Sequence, residues 1–333
     1  MKLVTAEQMR SLDTSAINNY NVPSLDLMEN AGRRTVEVML DRYGDPLGKS
    51  VAIFVGPGNN GGDGLVIARL LAARLARPVV FLLVPSDKLK GDSAHNYNKL
   101  LELPVKIIEV TSEKILHEAD SILTDCWSMV DGIFGTGLTR EVSGIFTAAI
   151  QILNKAVCPV VAVDIPSGIN TDNGEPLGSC VQADITVTFG QAKIGQVIHP
   201  GREYTGVLEV VDIGIPEKAV ADSDIRLELL ESTVGKWIPA RPPTAHKGSF
   251  GHLLIVAGSI GKTGASLLCG SGGLRSGAGL ITLCIPYELN NIIESGLWEA
   301  MTVPLQSAAP VSYTHLRAHE TERTISYAVF CLK

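Results

Sequence analysis

Residues 51–76, VAIFVGPGNNGGDGLVIARLLAARLA, restrict what this chain can fold into more than any other stretch. Val51 to Val55 are a short apolar run of strand length. The run passes into Gly56-Pro57-Gly58-Asn59-Asn60-Gly61-Gly62-Asp63-Gly64, where five glycines in nine residues strip the backbone of side chains and permit positive φ. Leu65, Ala68, Leu71, Ala72 and Leu75 then recur at helical spacing, so a helix is predicted to open directly beside the loop. Strand, glycine turn and helix start in that order form an anion site, because the first NH groups of a helix have no partner within it. The loop fits neither GxxxxGKS/T nor GxGxxG followed by an acidic residue about 20 positions on. Instead Asn59, Asn60 and Asp63 give it polar side chains of its own, and a simple phosphate cradle has no use for a carboxylate.

Strands and helices alternate around this unit. Thr5 with Gln8 is a capping-box pattern opening a helix over 6–19, and a second helical pattern after Pro23 carries Leu25, Met28, Ala31, Val36 and Leu40 to a stop near Gly44. These two helices show no evident chemistry and read as packing or interface elements. Strands are predicted at 79–84, 105–110, 129–134, 160–163, 184–189 and 207–211, with helices at 93–101 and 145–156. That alternation predicts an α/β fold, a three-layer αβα Rossmann-like domain with a mostly parallel sheet. In such a sheet the loops leaving the carboxyl ends of the strands share one edge, and ligands bind there. The loops around Asn60, Asp131 to Thr136 and Asp164 to Ser167 should therefore meet. They carry amide, carboxylate and hydroxyl oxygens, which suit a hard cation. From the residues alone, capping or turn-forming roles stay open for Asp131 and Ser167.

With 333 residues the chain has room for two domains. A formal charge of −7 argues against a general nucleic-acid surface. Six scattered cysteines without a CxxC pair point to a reducing compartment. The first ten residues lack the apolar core of a signal peptide, and the longest apolar run, 79–84, is too short to cross a bilayer, so a soluble cytoplasmic protein is expected. His95 and His117 stand alone, without metal-like spacing.

GPGNNGGDGLVIAR at 56–69, VDGIFGTGL at 130–138 and VDIPSG at 163–168 together resemble the NAD(P)H-hydrate epimerases, the YjeF N-terminal domain family, over residues 1–217. The resemblance implies epimerisation of the R and S forms of NAD(P)HX, the hydrated and damaged form of the reduced nicotinamide cofactors, with NADHX and NADPHX as small-molecule partners. It implies potassium held by Asn60, Asp131 and Ser167. It places the substrate against Asn59, Asn60, Gly61, Gly62, Asp63, Gly135, Thr136, Gly137, Leu138, Thr139, Arg140, Glu141 and Asp164, and it implies a homodimer. Asp164, a carboxylate turned out at a strand end, is the expected general acid/base, with Asp63 in reserve. Lys193 occupies a position where these epimerases commonly carry lysine, and reads either as a phosphate-binding charge or as a solvated surface residue.

Residues 218–240 read as a linker. Over 241–310, HKGSFGHLLIVAGSIGKTGA at 246–265 and GGLRSGAGLITL at 272–283 resemble the opening of the ADP-dependent NAD(P)H-hydrate dehydratases, which are ribokinase-like. One βαβ unit is predicted there, from strands at 253–257 and 280–285 and a helix at 264–276, and Ala265 is carried over as a site residue of the fragment. Gly261-Lys262-Thr263 is no P-loop, since the first glycine of that pattern falls at Val256. A complete ribokinase-like core needs on the order of 250 residues, near the upper size of a single domain. Dehydration is therefore not expected of this fragment, and ADP or ATP belongs only to a complete domain. Residues 311–333 resemble nothing in the family and read as a non-native tail. Two other readings stay open: a bifunctional epimerase and dehydratase, and a non-catalytic nucleotide-binding module using the same crevice.

Overall fold

The computed structural model describes residues 1–238 and 240–306, the backbone alone at 117, 120 and 121, and the backbone of Tyr327–Leu332. The rest of the expected tail over 311–333 lies outside the described residues. The chain forms two compact units, Met1–Val234 and Gly235–Lys333.

The first unit is built on seven strands: β1 (Ser50–Val55), β2 (Arg77–Leu82), β3 (Lys106–Glu109), β4 (Cys126–Gly132), β5 (Val160–Val163), β6 (Ile185–Phe189) and β7 (Val207–Val211). They lie in the order β3-β2-β1-β4-β5-β6-β7, and every neighbouring pair is parallel. Strands that are apolar at every position need cover on both faces. Val51, Ile53 and Val55 of β1 join one core, with Met9 and Leu12 of α1 (Ala6–Tyr20), Leu27 and Met39 of α2 (Ser24–Tyr43), Leu65 and Leu71 of α3 (Asn59–Ala73) and Leu100 of α4 (Gly91–Leu101). Ala52 and Phe54 join the other, with Ala149, Ile150 and Leu153 of α5 (Ile145–Asn154). Each fully buried aliphatic or aromatic side chain contributes about 1.5–3 kcal/mol, so burial on two faces, more than local propensity, holds these short strands. The strand order reverses between β1 and β4, which places a crevice at their carboxyl ends.

Element positions agree with expectation within a few residues, apart from three differences that bear on the site. First, the glycine loop ends at Gly58 and α3 begins at Asn59, so Gly61, Gly62, Asp63 and Gly64 are helical. A Cβ on Gly61 would lie 2.2 Å from the Gly56 carbonyl oxygen, and one on Gly62 would lie 2.7 Å from both the Met28 side chain and Ser93 Oγ. These glycines let the helix seat against its neighbours and do not form a turn. Second, β4 stops at Gly132, freeing Ile133 and Phe134 to enter the site. Third, the unit runs past 217. Leu3 N donates to Leu227 O at 2.9 Å, Leu229 N donates to Met1 O at 2.8 Å, and Ile225 is buried. The part of the expected linker up to 234 therefore packs onto the first unit and does not span between units.

The start of α1 is anchored at both levels. Thr5 Oγ1 accepts from Gln8 N at 3.1 Å and Gln8 Oε1 accepts from Thr5 N at 3.0 Å, the expected capping box. Just before it, Leu3–Val4 pairs in parallel with Ala192–Lys193.

In the second unit β8 (His252–Ala257), β9 (Leu280–Pro286) and β10 (Met301–Leu305) are parallel, with the helix Thr263–Arg275 between the first two. Tyr327–Leu332 lies antiparallel to β8. The predicted βαβ unit is present, over a small core of Ile255, Ile281, Leu283, Ile285 and Ile293. No described helix is long and apolar enough to cross a membrane.

Candidate active site

A cavity of about 500 Å³ opens at the carboxyl edge of the first unit. Its lining comes from α1 and α2, the first turn of α3, the loop after β4, and residues after β5 and β6.

Asp164 leaves β5 with φ at +64°, a left-handed conformation that costs a residue other than glycine on the order of 1 kcal/mol. Its backbone is tied at both ends: Asp164 N donates to Val187 O at 2.8 Å, and Gln196 Nε2 donates to Asp164 O at 2.6 Å. Its Oδ1 accepts from Lys193 Nζ, from Thr188 Oγ1 at 3.2 Å and from Phe189 N at 3.2 Å. Lys193 is neither of the alternatives expected for it. Its side chain is fully buried, with Nζ donating also to Thr188 Oγ1 at 2.8 Å and Phe189 O at 3.1 Å. An ammonium has three protons, and all three have partners here, so none is free for a phosphate. The reason is tertiary: pairing of Ala192–Lys193 with Leu3–Val4 fixes the backbone and draws the side chain inward under Asp164.

Asp63, one turn into α3, is 8% exposed, and its carboxylate accepts no hydrogen bond from any described residue. Burial, then the Asp164 charge, then Asp13, push its carboxyl well above the usual range, while Lys193 pulls the other way. Asp13 belongs to α1, the helix that seemed to carry no chemistry, and it lines the same cavity. Burial first and the Asp164 charge second push it up to about 6, again against Lys193. A signal for it existed in the sequence. Met9, Ala16 and Ile17 are its neighbours at helical spacing, so Asp13 interrupts the apolar face of an amphipathic helix.

The three residues expected to hold a cation do come together, around Phe134. Asn60 Nδ2 donates to Phe134 O at 3.0 Å, and Phe134 N donates to Ser167 Oγ at 2.8 Å. Ser167 Oγ in turn donates to Asp131 Oδ1 at 2.6 Å, while Ser167 N donates to Asp131 Oδ2 at 2.8 Å. Asp131 is wholly buried, and burial pushes its carboxyl up to about 6 in spite of these bonds. Asn60 Oδ1 is buried without any donor. A lone buried amide oxygen beside a carboxylate, a hydroxyl and a carbonyl oxygen is a donor set that fits a hard monovalent cation. Among the described residues no group of three or more His, Cys, Asp or Glu could hold a metal, so nitrogen- or sulfur-based coordination has no counterpart here.

Of the other expected substrate residues, Asn59, Gly135, Thr136, Gly137, Leu138, Thr139 and Arg140 line the cavity, as do Asn60, Asp63 and Asp164. Gly61, Gly62 and Glu141 do not. The two glycines are spent on helix packing, and Glu141 is exposed where the chain turns back so that Val142 N can donate to Leu177 O at 2.9 Å. Ala265 lies in the first turn of the second unit's helix.

A doubly wound parallel sheet with a carboxyl-lined crevice at its switch point defines a Rossmann-like α/β protein of the ligand-binding kind. The family model described as YjeF-related protein N-terminus matches residues 24–195, and the chain belongs to that family. It is 42% identical over 307 residues to a bifunctional NAD(P)H-hydrate repair enzyme of Moorella thermoacetica, a match covering 92% of this chain and 58% of that one. It is 40% identical over 209 residues to an NAD(P)H-hydrate epimerase of Limosilactobacillus fermentum, covering 63% of this chain and 95% of the relative. The chain thus spans little more than half the length of the bifunctional relative. The crystal structure of the yeast protein ynu0 shares the fold, with a TM-score of 0.59 and 24% identity over 70% of this chain and 98% of that one.

Proposed function

We propose that the first unit interconverts the R and S forms of hydrated NADH and NADPH, an isomerase activity in nicotinamide cofactor repair. The observation that carries this reading is one cavity holding both a buried, unpartnered carboxyl, Asp63, and a carboxylate anchored by lysine, Asp164. The names of the relatives point to the substrate. A volume of about 500 Å³ suits a small-molecule ligand, and the first turn of α3 offers free NH groups to a pyrophosphate. The hydrated ring is a hemiaminal, and inverting its carbon means breaking one bond to it, by ring opening or by loss of the hydroxyl. Either route moves a proton. Asp63, whose carboxyl burial pushes well above the usual range, serves as donor; Asp164, in its ion pair with Lys193, is its acid/base partner on the same side of the ring and orients the ring hydroxyl.

Asn60, Asp131 and Ser167 would hold a potassium ion, which supplies positive charge beside the bound phosphate. A homodimer, as the family resemblance implies, and a cytoplasmic setting complete the proposal. The test is incubation of the full chain with each purified epimer, followed by chromatography. Each epimer should relax to a mixture much faster than in buffer, and unchanged composition overturns the reading.

A further inference from the structure

By the hydroxyl-loss route, inverting the ring carbon takes a hydroxyl off one face and returns it to the other, so a proton carrier is needed on both sides of the ring. This inference rests on the epimerase reading and deepens it. At the carboxyl edge of the sheet, the first turns of α3 supply Asp63 and the loop after β5 supplies Asp164. From α1 and α2 eight residues line the same cavity, and five of them are apolar. Of the remaining three, the Arg10 guanidinium offers donors but no acceptor and the Ser24 hydroxyl is a poor proton carrier by itself. The geometry points to Asp13 as the second proton-transferring residue of this site, the carboxyl serving the ring face turned to the helices, while Asp63 serves the face turned to the sheet.

The step balances as follows. With the hydroxyl on the sheet side, the Asp63 proton passes to the leaving oxygen and the C–O electron pair departs with it as water. The ring-nitrogen lone pair meanwhile closes a C=N⁺ bond. A water then adds from the helical side; its lone pair forms the new C–O bond, the C=N⁺ pair returns to nitrogen, and the released proton goes to Asp13. The net result is one proton moved from Asp63 to Asp13, and the reverse reaction moves it back.

Two observations fit this exchange. Asp13 makes no hydrogen bond or ion pair with any described side chain, so its oxygens are free for substrate. Burial is the leading cause in raising both carboxyls, Asp13 up to about 6 and Asp63 well above the usual range, the direction that favours holding and exchanging a proton. The charged groups lining the cavity with them are Arg10, Asp92, Arg140, Asp164 and Lys193.

The experiment uses the full chain, as wild type, Asp13→Asn and Asp13→Glu, with purified epimers in ¹⁸O-labelled water from pH 5 to 9. For the epimer whose hydroxyl starts on the sheet side, wild-type kcat/KM should rise with pH through about 6 as Asp13 ionises. Asp13→Asn should lower kcat by about 10²-fold or more, with KM little changed, and should abolish that limb. It should still exchange the hydroxyl oxygen of one epimer with solvent without inverting it, because the sheet-side group is intact. Asp13→Glu should restore part of the inversion rate. Wild-type kcat or a persisting pH limb in Asp13→Asn overturns the proposal. So does equal loss of exchange and inversion, which is what a merely structural role produces. A wild-type chain that leaves both epimers unchanged overturns the epimerase reading itself, and Asp13 with it.

Discussion

Lys193→Met removes the one ammonium that pairs with Asp164 among the described residues and leaves a methyl thioether of similar length in its place. The lysine side chain is fully buried and the Asp164 side chain 13% exposed, so little solvent is available to take over the lost interactions. Thr188 Oγ1 and Phe189 N still reach Asp164 Oδ1, but Phe189 O loses a donor. Breaking a buried ion pair from one side costs about 3–5 kcal/mol, because the surviving charge stays buried alone. With a urea m-value of about 2–3 kcal/mol/M, the midpoint should fall by about 1–2 M. The unfolding of the first unit can be followed through Trp127 on β4, whose Nε1 donates to Tyr43 O at 3.3 Å, in a background lacking Trp237 and Trp298. The double variant Lys193→Met/Asp164→Asn should recover at least half of the loss, since no charge is then left unpaired. A shift below about 0.3 M in the single variant, or a double variant no better than the single, would refute the claim that this pair is a buried and mutually dependent anchor.

Asp13→Asn should make the first unit more stable at pH 7.5 and leave it nearly unchanged at pH 4. A carboxyl whose folded-state pKa is raised from 3.8 to about 6 contributes stability below pH 4 that is lost as pH rises through 6; the ceiling is about 3 kcal/mol at 1.36 kcal/mol per unit, read as urea midpoints at the two pH values. Asn60→Ala should remove any dependence of the epimerisation rate on potassium, measured against choline at constant ionic strength, because the unsatisfied amide oxygen is gone. Gly62→Ala should cost about 1–3 kcal/mol, since its Cβ meets Met28 and Ser93 at 2.7 Å, whereas Gly137→Ala, with nothing within 4 Å, should leave the melting temperature unchanged and act only on KM.

Much of the fold could be read from local pattern. All-apolar runs such as Val51 to Val55 and Val160–Val163 allow only a strand covered on both faces, and the intervening helical spacings provide that cover. The convergence of Asn60, Asp131 and Ser167 followed from a general property of doubly wound sheets, not from any one residue. The limits of Gly61 and Gly62 were not readable, because a glycine that forms a turn and a glycine that admits a neighbouring side chain look identical in sequence.

By itself the sequence determined the parallel sheet, the edge where its loops gather, and the chemical types of the groups those loops present, since each of these depends on periodicity within ten or fifteen residues. Tertiary structure decided which distant groups face one another there. Asp13 enters the cavity and Lys193 is buried beneath Asp164 because Leu3–Val4 lies beside Ala192–Lys193, a contact between the start of the unit and its far side. An amphipathic pattern records that a helix face is covered; what covers it, and whether a carboxylate there is shifted enough to trade protons, follows only from the packed arrangement.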